Sequence, residues 1–136
     1  MYQAFRFPTA LILSGVLAQT ISAAQKPCES LAGLALSDAK ITSAQSVPAG
    51  AFTPPPSPTP PTGPPTSYKD VPAFCRVLAE LTPTADSDIK VEAWMPTVDW
   101  NGKYRGQGNG GFAGTIDYHG LGAAVKRGYA TAGTDG

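Results

Sequence analysis

An α/β fold is what this 136-residue sequence predicts, and three observations predict it. Residues 39–47 and 89–96 alternate in the manner of half-buried strands, side chains pointing to opposite faces with a period of two. Residues 119–127 have helical composition, with Lys126 and Arg127 in the last turn and Gly128 placed to end the helix. Tyr129-Ala-Thr-Ala132 follows as a short buried strand. Residues 89–96 and 103–107 as strands, then the helix and this last strand, make the opening of an α/β sheet.

Ahead of that pattern, residues 1–24 read as a signal peptide. Arg6 supplies the positive charge, residues 10–18 the apolar core, and Ser22, Ala23 and Ala24 the small-residue cleavage site before Gln25. The apolar run is shorter than the roughly twenty residues of a membrane span. It lacks the charged face of an ordinary amphipathic helix. The expected location is therefore secreted or periplasmic.

Export gives meaning to Cys28 and Cys75, the two cysteines of the chain. An even pair in an oxidising compartment predicts a disulfide. It closes a loop of about 47 residues, which the chain-entropy model values at about 4 kcal/mol. A nucleophilic cysteine is the sharper alternative, but no neighbouring charge lowers either thiol. Ten basic and ten acidic residues leave the chain neutral without a basic stripe, so neither nucleic acid nor an anionic membrane surface is an expected partner.

After cleavage, Cys28 to Leu34 forms a short apolar turn and residues 39–47 a strand. Residues 48–67 are a proline-rich loop, expected to run extended over the surface because proline suits neither sheet interior nor helix. Its Pro-x-x-Pro matches fit a peptide ligand, although linkers of this composition are far commoner. Residues 71–81 return to apolar order, and residues 89–96 end at a proline. Trp100-Asn-Gly is a turn, and residues 103–107 lead as a strand into a glycine-rich loop.

That loop carries the chemistry. From Trp100 to Gly114 there are six glycines, and glycine admits close backbone approach and positive φ. Successive free N–H groups there can cradle negative charge. Gly106, Gly108 and Gly111 satisfy G-x-G-x-x-G, with Asp135 at the distance of a ribose-binding acid. Residues 112–118 offer no clear helix start for that fingerprint, and nicotinamide cofactors are scarce outside the cytoplasm. A purely structural turn stays open, as does an oxyanion hole for acyl transfer. His119, the lone histidine, has Ser87, Asp86 and Asp88 as formal triad partners. The latter three lie in a turn and suit backbone termination better than catalysis. No His/Cys/Asp/Glu spacing suits a metal.

Taken together, Cys28-Glu-Ser-Leu, Val71-Pro-Ala-Phe-Cys-Arg-Val, Ile89-Lys-Val-Glu-Ala-Trp-Met-Pro, Trp100-Asn-Gly-Lys-Tyr, Gly108-Asn-Gly-Gly-Phe-Ala-Gly and Arg127-Gly-Tyr-Ala-Thr-Ala-Gly-Thr-Asp resemble the amino-terminal part of the tannase/feruloyl esterase family. The resemblance implies an α/β-hydrolase sheet, with residues 25–136 as its amino-terminal portion. It also implies serine-dependent cleavage of aromatic-acid esters such as gallates and ferulates. Gly111 matches the position whose backbone N–H serves the oxyanion hole.

The family's Ser-Asp-His triad and its lid, with the calcium site of many members, match no position here. The expectation is therefore an amino-terminal fragment, inactive alone and with no cofactor of its own. Its strand pattern from Gly128 runs to the end of the chain with nothing to cover its faces. The competing reading is a small exported, disulfide-closed binding or structural module.

Overall fold

A computed structural model of the chain describes residues 26–56, 66–108 and 114–136. The signal-peptide segment, the middle of the proline-rich stretch and Gly111 lie outside the described residues.

Five strands form one mixed sheet in the order β1-β2-β3-β5-β4. A 3-10 turn over Cys28–Gly33 precedes β1 (Ala39–Val47), β2 (Phe74–Leu81) and β3 (Ile89–Pro96), which pair antiparallel in succession. β4 (Tyr104–Gln107) then forms the far edge, α1 (Tyr118–Lys126) crosses, and β5 (Ala130–Thr134) returns between β3 and β4. β5 is antiparallel to β3 and parallel to β4. A parallel pair needs such a crossover, because a hairpin cannot join strands of the same direction.

The final strand is a correction to expectation. β5 is flanked on both sides, and Thr131 and Gly133 are buried on the face that α1 covers. A Cβ built on Gly133 would lie 3.6 Å from Leu121 Cδ2.

On that face Phe52, Tyr68, Val71, Phe74, Trp94, Leu121 and Val125 make the main core. Phe74 stacks on Trp94 at 4.2 Å between centroids, and Phe52 meets Trp94 edge-on at 4.4 Å. Phe52 also departs from expectation. It belongs to the stretch read as wholly superficial, yet it is buried, worth about 1.5–3 kcal/mol of transfer energy. The neck of that loop is closed by backbone: Gly50 N donates to Val71 O at 2.9 Å. Gly50 takes φ +70°, and a Cβ there would lie 2.7 Å from Lys69 O.

The opposite face is capped over β1 and β2 by the 3-10 turn. There the Cys28–Cys75 disulfide, with Cα atoms 5.5 Å apart, packs with Val77 and Leu31. The predicted bond is present. Over β3, β5 and β4 this face is more open, and Leu81, Ile89, Val91 and Tyr104 line a hollow of about 440 Å³. No helix among the described residues is long and apolar enough to cross a membrane.

Candidate functional site

The glycine-rich connection leaves the carboxyl end of β4 and enters α1, and each end of this unit is held by named polar contacts. At the β4 entrance, Asp99 and Gly102 adopt positive φ (56° and 77°), bending the chain between β3 and β4. Asn101 N donates to Gly128 O and Asn101 Nδ2 donates to Arg127 O, both at 2.9 Å. Lys103 N donates back to Asn101 Oδ1 at 2.9 Å, and Trp100 Nε1 donates to Lys103 O at 3.1 Å. The last carbonyls of a helix lack internal partners, so Asn101 answers that need for α1. Gly128, just past the C-cap Arg127, takes φ +76°, and a Cβ there would lie 2.6 Å from Asp99 O. The Trp-Asn-Gly turn thus fastens the start of β4 to the end of α1.

At the other end, Asp117 is the N-cap of α1. Gly120 N donates to its Oδ1 at 2.9 Å, and a carboxylate suits the positive end of the helix dipole. Gln107, the last residue of β4, donates through Nε2 to Asp117 Oδ2 at 3.2 Å. Gly120 leaves the room. A Cβ built on it would sit 1.8 Å from Gln107 Nε2 and 2.3 Å from Asp117 Oδ2. Glycine inside a helix costs about 1 kcal/mol relative to alanine, and here the space it leaves accounts for it.

Behind the first turn of α1 lies a buried ion. Glu92 on β3 is only 3% exposed. Its carboxylate accepts from Arg76 Nε at 2.8 Å, from Arg76 Nη2, from Trp94 Nε1 at 2.9 Å and from Tyr118 OH at 3.0 Å. A buried carboxylate is tolerable only when paired and hydrogen-bonded, and this one is both. Arg76 also lies over the Phe52 ring, 5.2 Å from its centroid. The bond to Glu92 holds the Arg76 guanidinium above its usual range, against the desolvation that opposes it. Burial, then the Glu92 charge, pushes the Tyr118 phenol up to about 12. Sequence reasoning missed this group. The available signal was an acid two residues before a tryptophan on a strand, where both share one face.

The remaining candidates do not converge. Ser87 shares a hydrogen bond with the Thr84 hydroxyl, which also donates to Asp86 Oδ1 at 2.7 Å and draws that carboxyl below its usual range. Asp88 pairs with Lys90. His119 is exposed on α1, and no hydrogen bond joins it to Asp86, Ser87 or Asp88 among the described residues. The ribose-acid assignment for Asp135 meets a competing role: its Oδ1 accepts from Lys90 N at 2.7 Å and its own N donates to Lys90 O at 3.1 Å. Gly106 is a strand residue in β4, not part of a turn.

Residues 75–136 match the family pattern described as tannase and feruloyl esterase. That segment is similar to the tannase/feruloyl esterase family. Among curated relatives, an uncharacterized esterase of Xanthomonas campestris pv. campestris is 44% identical over 117 residues, covering 86% of this chain and 19% of its own length. Feruloyl esterase C of Talaromyces stipitatus is 41% identical over 63 residues, covering 46% of this chain and 12% of its own. Among solved structures, feruloyl esterase B from Aspergillus oryzae superposes with a TM-score of 0.63 at 35% identity, over 79% of this chain and 20% of its own. An esterase from the same organism gives 0.64 at 30% identity, over 79% and 21%. The chain therefore spans about a fifth or less of the relatives it matches.

Proposed function

We propose that this chain is the amino-terminal portion of an exported serine ester hydrolase with an α/β-hydrolase sheet, acting on esters of aromatic acids such as ferulate and gallate. Its part in the reaction is the β4–α1 connection, in which the Gly111 N–H stabilises the oxyanion of the acyl-transfer intermediate. The observation that supports this reading is the placement of the glycine run at the carboxyl end of a strand parallel to its neighbour. Open α/β sheets present ligand-binding groups there. In α/β-hydrolases, an N–H of the loop between strand and helix at this place completes the oxyanion hole. Nucleophile, acid and base come from polypeptide beyond this chain, so residues 1–136 alone do not turn over ester. The binding-module reading gains nothing from relatives named as esterases.

The test is a chimera of Talaromyces stipitatus feruloyl esterase C whose matched segment is replaced by residues 75–136 of this chain. Cleavage of methyl ferulate by the chimera, and none by the 136-residue chain, is the expected result. Gly111→Val in the chimera lowers kcat about a hundredfold or more, with KM little changed, because the lost interaction belongs to the transition state. A chimera that folds and is inert would overturn the hydrolase reading. Full activity of the Gly111→Val chimera would move the oxyanion donor elsewhere.

A further inference from the structure

We infer that Gln107, Asp117 and Gly120 form a positioning clamp for the ester-cleaving site, fixing the span between the end of β4 and the first turn of α1. The inference rests on the hydrolase reading above, and assigns it residues that touch no substrate.

The clamp is built from two strokes of one carboxylate. Asp117 Oδ1 accepts from Gly120 N at 2.9 Å, as an N-cap does, while Oδ2 accepts from Gln107 Nε2 at 3.2 Å. The cap alone requires only the first. The second bond crosses from helix to strand and joins the residues at which the connection leaves β4 and enters α1. Gly120 is the third part, because its missing Cβ is the space into which the Gln107 amide reaches, 1.8 Å from where that Cβ would stand. Alanine there would favour the helix and expel the clamp.

Two further contacts hold the rest of α1. Tyr118 OH donates to Glu92 at 3.0 Å, tying α1 to β3, and Asn101 Nδ2 donates to Arg127 O at 2.9 Å, tying the far end of α1 to the turn before β4. The exit of β4 is held to β5 by the Gln107–Gly133 pairing, and the Gln107 side chain adds the tie from that strand end to the start of α1. Holding reacting groups to within a fraction of an ångström is what such a bond contributes, since misplacement by about 1 Å can cost a hundredfold in rate.

Three substitutions in the chimera separate clamp from cap. Gln107→Ala removes the strand partner. Asp117→Ser keeps an N-cap oxygen and loses the reach to Gln107. Gly120→Ala leaves both partners intact and fills their space. Each lowers kcat about ten- to a hundredfold with KM held within about twofold, and Gln107→Ala combined with Asp117→Ser is no worse than either alone. Thermal unfolding of the three variants stays near that of the unmutated chimera.

An active chimera whose kcat is indifferent to all three defeats the clamp and leaves the hydrolase reading standing. So do losses that multiply in the double variant, or loss of the folded baseline in all three, which would make the clamp a support of the fold alone. A folded but inert unmutated chimera defeats both readings together.

Discussion

β1, β2 and β3 are held by what they bury and by a covalent bond, whereas β4, α1 and β5 share that core through Leu121 and Val125 and add directional contacts at each turn. In the antiparallel half, Cys28–Cys75 fastens the 3-10 turn to β2, and Phe74 and Trp94 stack across β2 and β3. In the parallel half, Asn101 answers the end of α1, Asp117 its beginning, and Gln107 the exit of β4. Burial is non-directional and accepts many packings of similar volume. A hydrogen bond fixes a distance and an angle. The contrast fits a scaffold beside a site: both halves share the core, the second adds directed ties around the loop, and Glu92 joins them through Tyr118.

The largest effect expected from breaking this division is on the covalent side. Cys28→Ser or Cys75→Ser should cost about 4 kcal/mol of unfolding free energy, the value for a loop of this length in the chain-entropy model. Reductant should lower the unfolding midpoint of the parent chain to that of the variants and leave the variants unmoved. An unchanged midpoint in Cys28→Ser would mean that packing alone holds the 3-10 turn to β2.

Asn101→Ala comes next. It removes two side-chain hydrogen bonds, at about 1 kcal/mol each, so about 2 kcal/mol is expected. The location of the damage sharpens the comparison more than its size. Amide exchange should quicken in residues 103–107 and 118–128 while β1 and β2 keep their protection. Uniform quickening across the sheet would show that the two halves open as one unit.

How much of this was legible follows the same division. β1 and β3 were readable to their ends, Ala39–Val47 and Ile89–Pro96, because alternation is a local property of a strand. β4 and α1 were placed within a residue, since a turn signal, basic residues and Gly128 lie next to them in sequence. Phe52 was hidden by its proline-rich surroundings, whose composition argues for the surface.

Glu92 was hidden by its charge. β3 alternates, yet its deepest residues are Glu92 and Trp94, not the Ile89, Val91, Ala93 and Met95 set, because the face carrying the acid is the one that α1 covers. Knowing that requires Arg76 from β2 and Tyr118 from α1, which are 16 and 26 residues away. The insertion of β5 between β3 and β4, and the clamp of Gln107 with Asp117, are likewise long-range facts. Gly120 carried a trace of the clamp as a glycine in a helix without a turn to justify it.

The last effect, at the point where the halves meet, is nil at neutral pH and shows only at high pH. The Tyr118 phenol is pushed up to about 12, first by burial and then by the Glu92 carboxylate, whereas in the unfolded chain it titrates near its ordinary value of about 10. Below pH 10 both states hold the proton, and its contribution to stability is fully present. Between about 10 and 12 the unfolded chain releases a proton that the folded chain keeps, so the unfolded state gains and stability falls as pH rises. Above the folded value both are ionised and the loss stops growing. Tyr118→Phe removes this component, so the stability difference between parent and variant should be flat from about pH 7 to 9 and shift against the parent only beyond about 10. A difference ultraviolet titration at the phenolate band, parent minus Tyr118→Phe, should place the midpoint near 12. A midpoint at the ordinary tyrosine value would put Tyr118 in water, and the link from Glu92 to the first turn of α1 would then be absent in solution.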